Sequence, residues 1–379
     1  MGAATSRRLV WIVTLSFVLF AGLLCAVNAY FNAYGLLPWQ VRAVRPAKFP
    51  FDFAARSIQQ IRGASADTFV LGNSRSSVGF RAEDQHVAGG MLNVAAPGFN
   101  LVETELLFRE MLLRHAPSRL IVGLDPQMFT TKSVLPQLRT LNIGEPGGPA
   151  LDMWRALKLS INGVMVWAEL EHRLNAIPLG SEAAPGTGQR NVRHASLRAE
   201  KSLVPIPAHA MQPRVQANVD ALKRMLSLSC GRGVSVDLLV MPYHVRLQEA
   251  FNYAYGARFF ESLLRTLLDV RDQAAADCQS RSKFRLWAAF TYDERSMEPI
   301  PAETDVSGTM KWHVETSHFK AELGRLALQP ILESMAPDSF GWPLQLGTNN
   351  IDRYLSRLAL DRAAFLATRP EQLSVVRKH

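Results

Sequence analysis

Cysteine is scarce in this chain, with three among 379 residues. That excludes a small fold stapled by disulfides. Cys25 falls in an apolar run near the start, and the sequence leaves open whether Cys230 and Cys278 pair. No CxxC or HExxH spacing occurs, so neither a metal site nor a cofactor is expected. The carboxylates form no evident glycosidase pair. There is no internal repeat. Charge is missing where its absence says most. From Leu9 to Val27, "LVWIVTLSFVLFAGLLCAV", no residue is charged. Such a run is long enough to span a bilayer. Arg7 and Arg8 precede it, and no Lys or Arg follows before Arg42. The positive-inside bias then keeps the amino terminus cytoplasmic and exports the body. A single-pass inner-membrane protein with a periplasmic domain is expected. A cleaved signal peptide ending near Val27 to Ala29 is the rival reading.

The formal net charge is +9. Nucleic acid is not the expected partner, because the basic residues are scattered and no aromatic-studded basic motif appears. An exported body would not meet nucleic acid in any case. A basic surface facing anionic lipid or glycan fits better.

Five apolar runs have strand character: Thr68 to Leu71, Leu92 to Ala95, Leu120 to Leu124, Val234 to Met241 and Phe284 to Phe290. Most are near-continuous in Val, Ile, Leu and Phe, as buried parallel strands tend to be. Helical spacing covers Phe53 to Ile61, Leu101 to Leu113, Val215 to Leu228, Phe259 to Val270, Lys320 to Met335 and Ile351 to Leu366. The alternation predicts an α/β fold around a parallel sheet of about five strands. Between the third and fourth strands, Leu151 to Leu174 reads as helical. Pro178 to Pro213, rich in Gly, Ser, Pro and Ala, reads as a mobile loop. The expected organisation is a stub and anchor over 1–29 and a stalk with a short helix over 30–65. An α/β domain follows over 66–335 with an insertion at 150–213, then a helical tail over 336–379.

Ligands of open parallel sheets bind beyond the carboxyl ends of the strands. Polar clusters stand just there: Asn73, Ser74 and Arg75 after the first strand, Gly98 and Asn100 after the second, and Asp125 after the third. Tyr243 and His244 follow the fourth strand and Asp293 the fifth, with Glu315 and His318 further on. A strand stopping on Gly72 to present Ser74 is either a capped strand-to-helix turn or a held nucleophile.

Three blocks carry a resemblance. They are "LGNSRS" at Leu71 to Ser76, "NVAAPGFN" at Asn93 to Asn100, and "ETSHF" at Glu315 to Phe319 followed by Gly324. In this order they resemble the SGNH/GDSL hydrolase-like superfamily over roughly 66–332. The likeness is greatest to its membrane-anchored, exported bacterial branch, which is related to enzymes acting on polysaccharide acyl groups. The resemblance implies a flavodoxin-like three-layer sandwich and ester chemistry on an envelope or exported glycan, either deacylation or acyl transfer. A membrane acyltransferase is an implied partner. It assigns the nucleophile to Ser74, the base to His318 and its orienting acid to Glu315.

Backbone N–H groups of Ser74 and Gly98 would face the oxyanion, helped by the side chain of Asn100 or Arg75. Asp125 departs from the family, which has a donating Asn there; an ionised carboxylate cannot donate. Arg75 is the expected partner of Asp125. His244 is a candidate substrate contact or a structural residue. A turn in which Thr316 or Ser317 merely caps the helix near Lys320 is the plain alternative to a catalytic His318. A weakened domain that binds glycan or scaffolds an export complex is the alternative to an enzyme.

Overall fold

The computed structural model describes residues 2–31, 50–63, 66–81, 87, 89–132, 143–145, 192–256, 258–279, 282–302, 304–305, 307–333 and 341–369. Helices α1 (Gly2–Phe31) and α2 (Pro50–Gly63) precede strand β1 (Thr68–Leu71). Then come α3 (Ser74–Gly79), β2 (Met91–Asn93), α4 (Leu101–Arg114), β3 (Arg119–Leu124) and α5 (Pro126–Thr130). Next are α6 (Val192–Lys201), α7 (Ala208–Arg232), β4 (Ser235–Val240), α8 (Val245–Tyr255), α9 (Phe259–Asp277) and β5 (Phe284–Ala288). The chain continues through β6 (His313–Glu315), β7 (His318–Phe319), α10 (Ala321–Leu332), β8 (Leu344–Leu346) and α11 (Ile351–Thr368).

The fold is α/β, with a mixed, mostly parallel six-stranded sheet in the order β2-β1-β3-β4-β5-β8. The first five strands are parallel, and β8 runs antiparallel to β5 with Trp287 opposite Gln345. The expected five-stranded parallel sheet is thus extended by one short reversed strand. Its three residues are too few for periodicity to reveal.

Side chains alternate across the strands and feed two apolar cores. Phe69 and Leu71 enter one, with Leu120, Val122, Leu238 and Val240. That face is covered by α2, α4, α7 and α9 through Ile58, Phe108, Leu222 and Leu267. Val70, Ile121 and Leu239 enter the other, against Phe251 of α8, Leu328 of α10 and Phe365 of α11. Burial on both faces is why these strands read as continuous apolar runs. Asp237 in β4 is fully buried, and its charge is met by Arg285 at 2.6 and 2.7 Å and by the indole N–H of Trp287 at 2.9 Å. Cys230 and Cys278 form a disulfide between the ends of α7 and α9, with Cα atoms 5.5 Å apart.

The loop expected over Pro178 to Pro213 contains α6 and the start of α7, which carries Pro213 in its first turns. The helix expected over Leu151 to Leu174 lies outside the described residues. Among the described residues no helix is long and apolar enough to cross a membrane. The expected span Leu9 to Val27 runs through α1, but Leu24, Cys25 and Val27 have side chains outside the described set. Large apolar side chains of α1, including Leu9, Trp11 and Phe17, are exposed.

Candidate active site

The sheet brings the end of β1 beside the end of β3, where the strand order reverses. At that point Gly72 takes φ +149°, a conformation that L side chains rarely adopt. A side chain there would also strike Ser76 and the Gly123 carbonyl. Asn73 then caps α3, its Oδ1 accepting from Arg75 N–H at 3.1 Å. Ser74 opens the helix and stays partly exposed, while Arg75 and Ser76 turn inward. The stretch is therefore a capped strand-to-helix turn, and it also presents a serine hydroxyl at the strand ends.

His318 meets that hydroxyl. Its Nε2 lies 3.0 Å from Ser74 Oγ across 244 positions of sequence. Nδ1 of the same ring contacts Glu315 Oε1. With the proton on Nδ1, the imidazole donates to Glu315 and accepts from Ser74 through Nε2, the arrangement of a general base. Both residues belong to the β6–β7 hairpin, where Glu315 pairs with His318.

Ser317 completes the turn. Its hydroxyl donates to Glu315 Oε1 at 2.6 Å and its N–H to Oε2 at 2.7 Å. Burial alone would push the Glu315 carboxyl up. The bonds from His318 and Ser317 outweigh it and hold the group below its ordinary value. The plain capping alternative does not describe this turn, because α10 begins after Lys320 without a side-chain cap.

Asp125 is fully buried at the end of β3, where it caps α5 by accepting from Gln127 N–H at 2.7 Å. It forms an ion pair with Arg75 and accepts from Asn73 Nδ2 at 2.6 Å. The aspartate is thus the counter-ion of a buried guanidinium, which also lies 5.2 Å from the centre of the Tyr243 ring. Burial lowers the Arg75 pKa.

Gly98 sits at φ +81° in an exposed turn. Ala96 N–H donates to Gly72 C=O at 3.0 Å, which ties this turn to the turn that carries Ser74. Among the described residues, neither Ser74 N–H nor Gly98 N–H has a protein partner. Asn100 is placed otherwise. It is buried as the cap of α4 in a capping box with Glu103, and its side chain is committed there.

His244 is likewise structural. It is fully buried, its Nδ1 accepts from Arg246 N–H at 3.2 Å, and its Nε2 donates to Glu298 C=O at 2.8 Å. Burial, reinforced by His313, lowers its pKa to about 3, so it is neutral. With both ring nitrogens occupied, it has none to offer a substrate. Asp293 binds Arg295 and is not drawn to Ser74.

Several supporting residues escape sequence reasoning. Glu298 accepts from Lys311 N–H at 2.5 Å and Trp312 N–H at 3.0 Å, and contacts His313 Nδ1 at 2.7 Å. It thereby gathers the entry to β6. It lies in a loop where no periodicity marks it. Ser317 had a signal: it stands beside His318 in a turn where a hydroxyl can reach a neighbouring carboxylate. Among the described residues no group of His, Cys, Asp and Glu forms a metal site. No family model matches the chain, and no curated protein matches it.

Proposed function

We propose that this chain is an exported, membrane-anchored serine esterase or acyltransferase acting on acyl esters of an envelope or exported polysaccharide. The observation that carries the reading is the chain of contacts Ser74 Oγ to His318 Nε2, and His318 Nδ1 to Glu315. A serine hydroxyl is a weak nucleophile and needs such a base. The order β2-β1-β3-β4-β5, which matches the flavodoxin-like order, supports the SGNH-type reading.

In the proposed reaction Ser74 Oγ attacks the acyl carbon and its proton passes to His318 Nε2. Glu315 stabilises the imidazolium that results. The N–H groups of Ser74 and Gly98 face the oxyanion. His318 then protonates the departing sugar oxygen as the carbon–oxygen bond breaks. Water or a second hydroxyl, deprotonated by His318, attacks the acyl-serine and releases Ser74. Water gives deacylation; a glycan hydroxyl gives transfer, and a membrane acyltransferase is a fitting supplier of the acyl group.

Two features support an exported, anchored body. Large apolar residues such as Leu9, Trp11 and Phe17 are exposed on different sides of α1, which water does not favour. The Cys230–Cys278 disulfide suits an oxidising compartment. A second reading, a catalytically weakened domain that binds glycan or scaffolds an export complex, draws on Asp125. It stands where the superfamily that the sequence resembles has a donating Asn, and an ionised carboxylate cannot donate.

One experiment separates these readings. Spheroplasts expressing the full chain are treated with a membrane-impermeant fluorophosphonate, before and after permeabilisation. Labelling of Ser74 in intact spheroplasts is expected. Labelling only after permeabilisation refutes export and leaves the nucleophile standing. No labelling in either case favours the binding reading.

A further inference from the structure

The bonds among Glu315, Ser317 and His318 fix these residues relative to one another. They do not fix the turn relative to Ser74. Its place is set by ties from outside, and one comes from the insertion between β3 and β4. Thr316, fully buried, sits in the middle of the turn. Its N–H donates to Ser196 Oγ at 3.2 Å, and its hydroxyl donates to Ser196 C=O at 3.3 Å. Ser196 is itself fully buried in α6. One helical turn later, on the same face, Glu200 accepts from Arg246 of α8 at 2.6 Å. That ion pair is buried on both sides. α6 therefore bridges α8 and the acid–base turn, with a two-point grip on Thr316.

We propose that α6 is a clamp for the general base, and that Ser196 is a positioning residue acting on His318 through Thr316. The insertion is then part of the catalytic apparatus. A turn released from this grip keeps its internal bonds, but His318 Nε2 drifts from the 3.0 Å contact with Ser74. Displacements of that kind cost rate steeply and binding little.

This inference rests on the triad reading, so its test carries a readout that does not need turnover. Full-length wild type, Ser196→Ala, Thr316→Val and Thr316→Ser are compared in detergent. Two measurements are made: 4-nitrophenyl acetate hydrolysis, and the NMR signal of the His318 Nδ1 proton. Ser196→Ala and Thr316→Val should each lower kcat about tenfold with KM nearly unchanged, and Thr316→Ser should restore it. In a Glu315→Gln background the loss should shrink, because the base is already misdirected. The His318 signal should shift or broaden in Ser196→Ala and Thr316→Val. An unchanged kcat, or a loss that persists in full alongside Glu315→Gln, would overturn the clamp. If the wild type shows no turnover, the esterase reading suffers, and the NMR signal alone decides the clamp. An unaltered His318 signal in both variants would overturn it.

Discussion

Gly324, in the first turn of α10, lies so close to Gly79 at the end of α3 that a Cβ on it would collide with the Gly79 carbonyl. A Cβ on Gly79 would in turn enter the ring of Phe319, next to His318. The helix begun by Ser74 and the helix that follows His318 thus pack backbone to backbone. This close approach is what lets residues so distant in sequence share a hydrogen bond.

Gly324→Ala should force the two helices apart. Overpacking of this kind costs roughly 1–3 kcal/mol, and reactivity should fall further than stability because the Ser74–His318 contact opens. Urea unfolding alongside the rate of fluorophosphonate labelling measures both. Full reactivity in Gly324→Ala would show that the contact does not depend on this packing.

Asp125→Asn is a second case. From the sequence, the change looks tolerable and even useful, since it supplies a donor. The buried pair argues otherwise. Asparagine can still cap α5, but it leaves the Arg75 guanidinium buried without a counter-charge. Breaking a buried pair from one side typically costs about 3–5 kcal/mol. The double change Arg75→Met with Asp125→Asn should regain much of that loss. Denaturant midpoints of the two variants check this; equal destabilisation would mean the pair is not the cause.

Acid stability follows from His244 and Glu315. The folded pKa of His244, about 3, lies below its ordinary 6.5. Between those values the unfolded chain binds the extra proton. Stability therefore falls as pH drops from about 6.5, by at most ~1.4 kcal/mol per unit from this group. Glu315 is depressed below 4.5, so its contribution is present above 4.5 and lost as pH falls through the folded value. The groups facing His244 are His313, Arg246, Glu315 and the Glu298 carbonyl. His244→Asn should flatten the slope between pH 6.5 and 4.5 in urea melts. An unchanged slope would contradict the neutral, buried state of this imidazole.

The parallel core was legible because its strands are buried on both faces. Val70 and Leu71 point to opposite cores, and both must be apolar. The candidate site was legible as a serine at a strand end, Ser74, and an acid and histidine three residues apart further on, Glu315 and His318, which the structure brings into contact. Asn100 and His244 were harder. Each follows a strand, as a ligand residue would, but each also begins a helix, and capping takes their side chains. Local sequence does not separate the two roles. The Ser196–Thr316 grip spans 120 positions, so no local pattern announces it. α6 sits in a Gly- and Pro-rich region and is held by contacts with β6 and α8 more than by its own periodicity.

Hydrolysis of 4-nitrophenyl acetate by the full chain tests the central claim most directly. The panel is wild type, Ser74→Ala, His318→Ala, the double variant and Glu315→Gln. If Ser74 and His318 act as one unit, each single change should remove nearly all activity, and the double variant should lose no more than either alone. Glu315→Gln should cost less, since Glu315 orients the base and does not touch the acyl group. Wild-type turnover that survives Ser74→Ala undiminished would contradict the account.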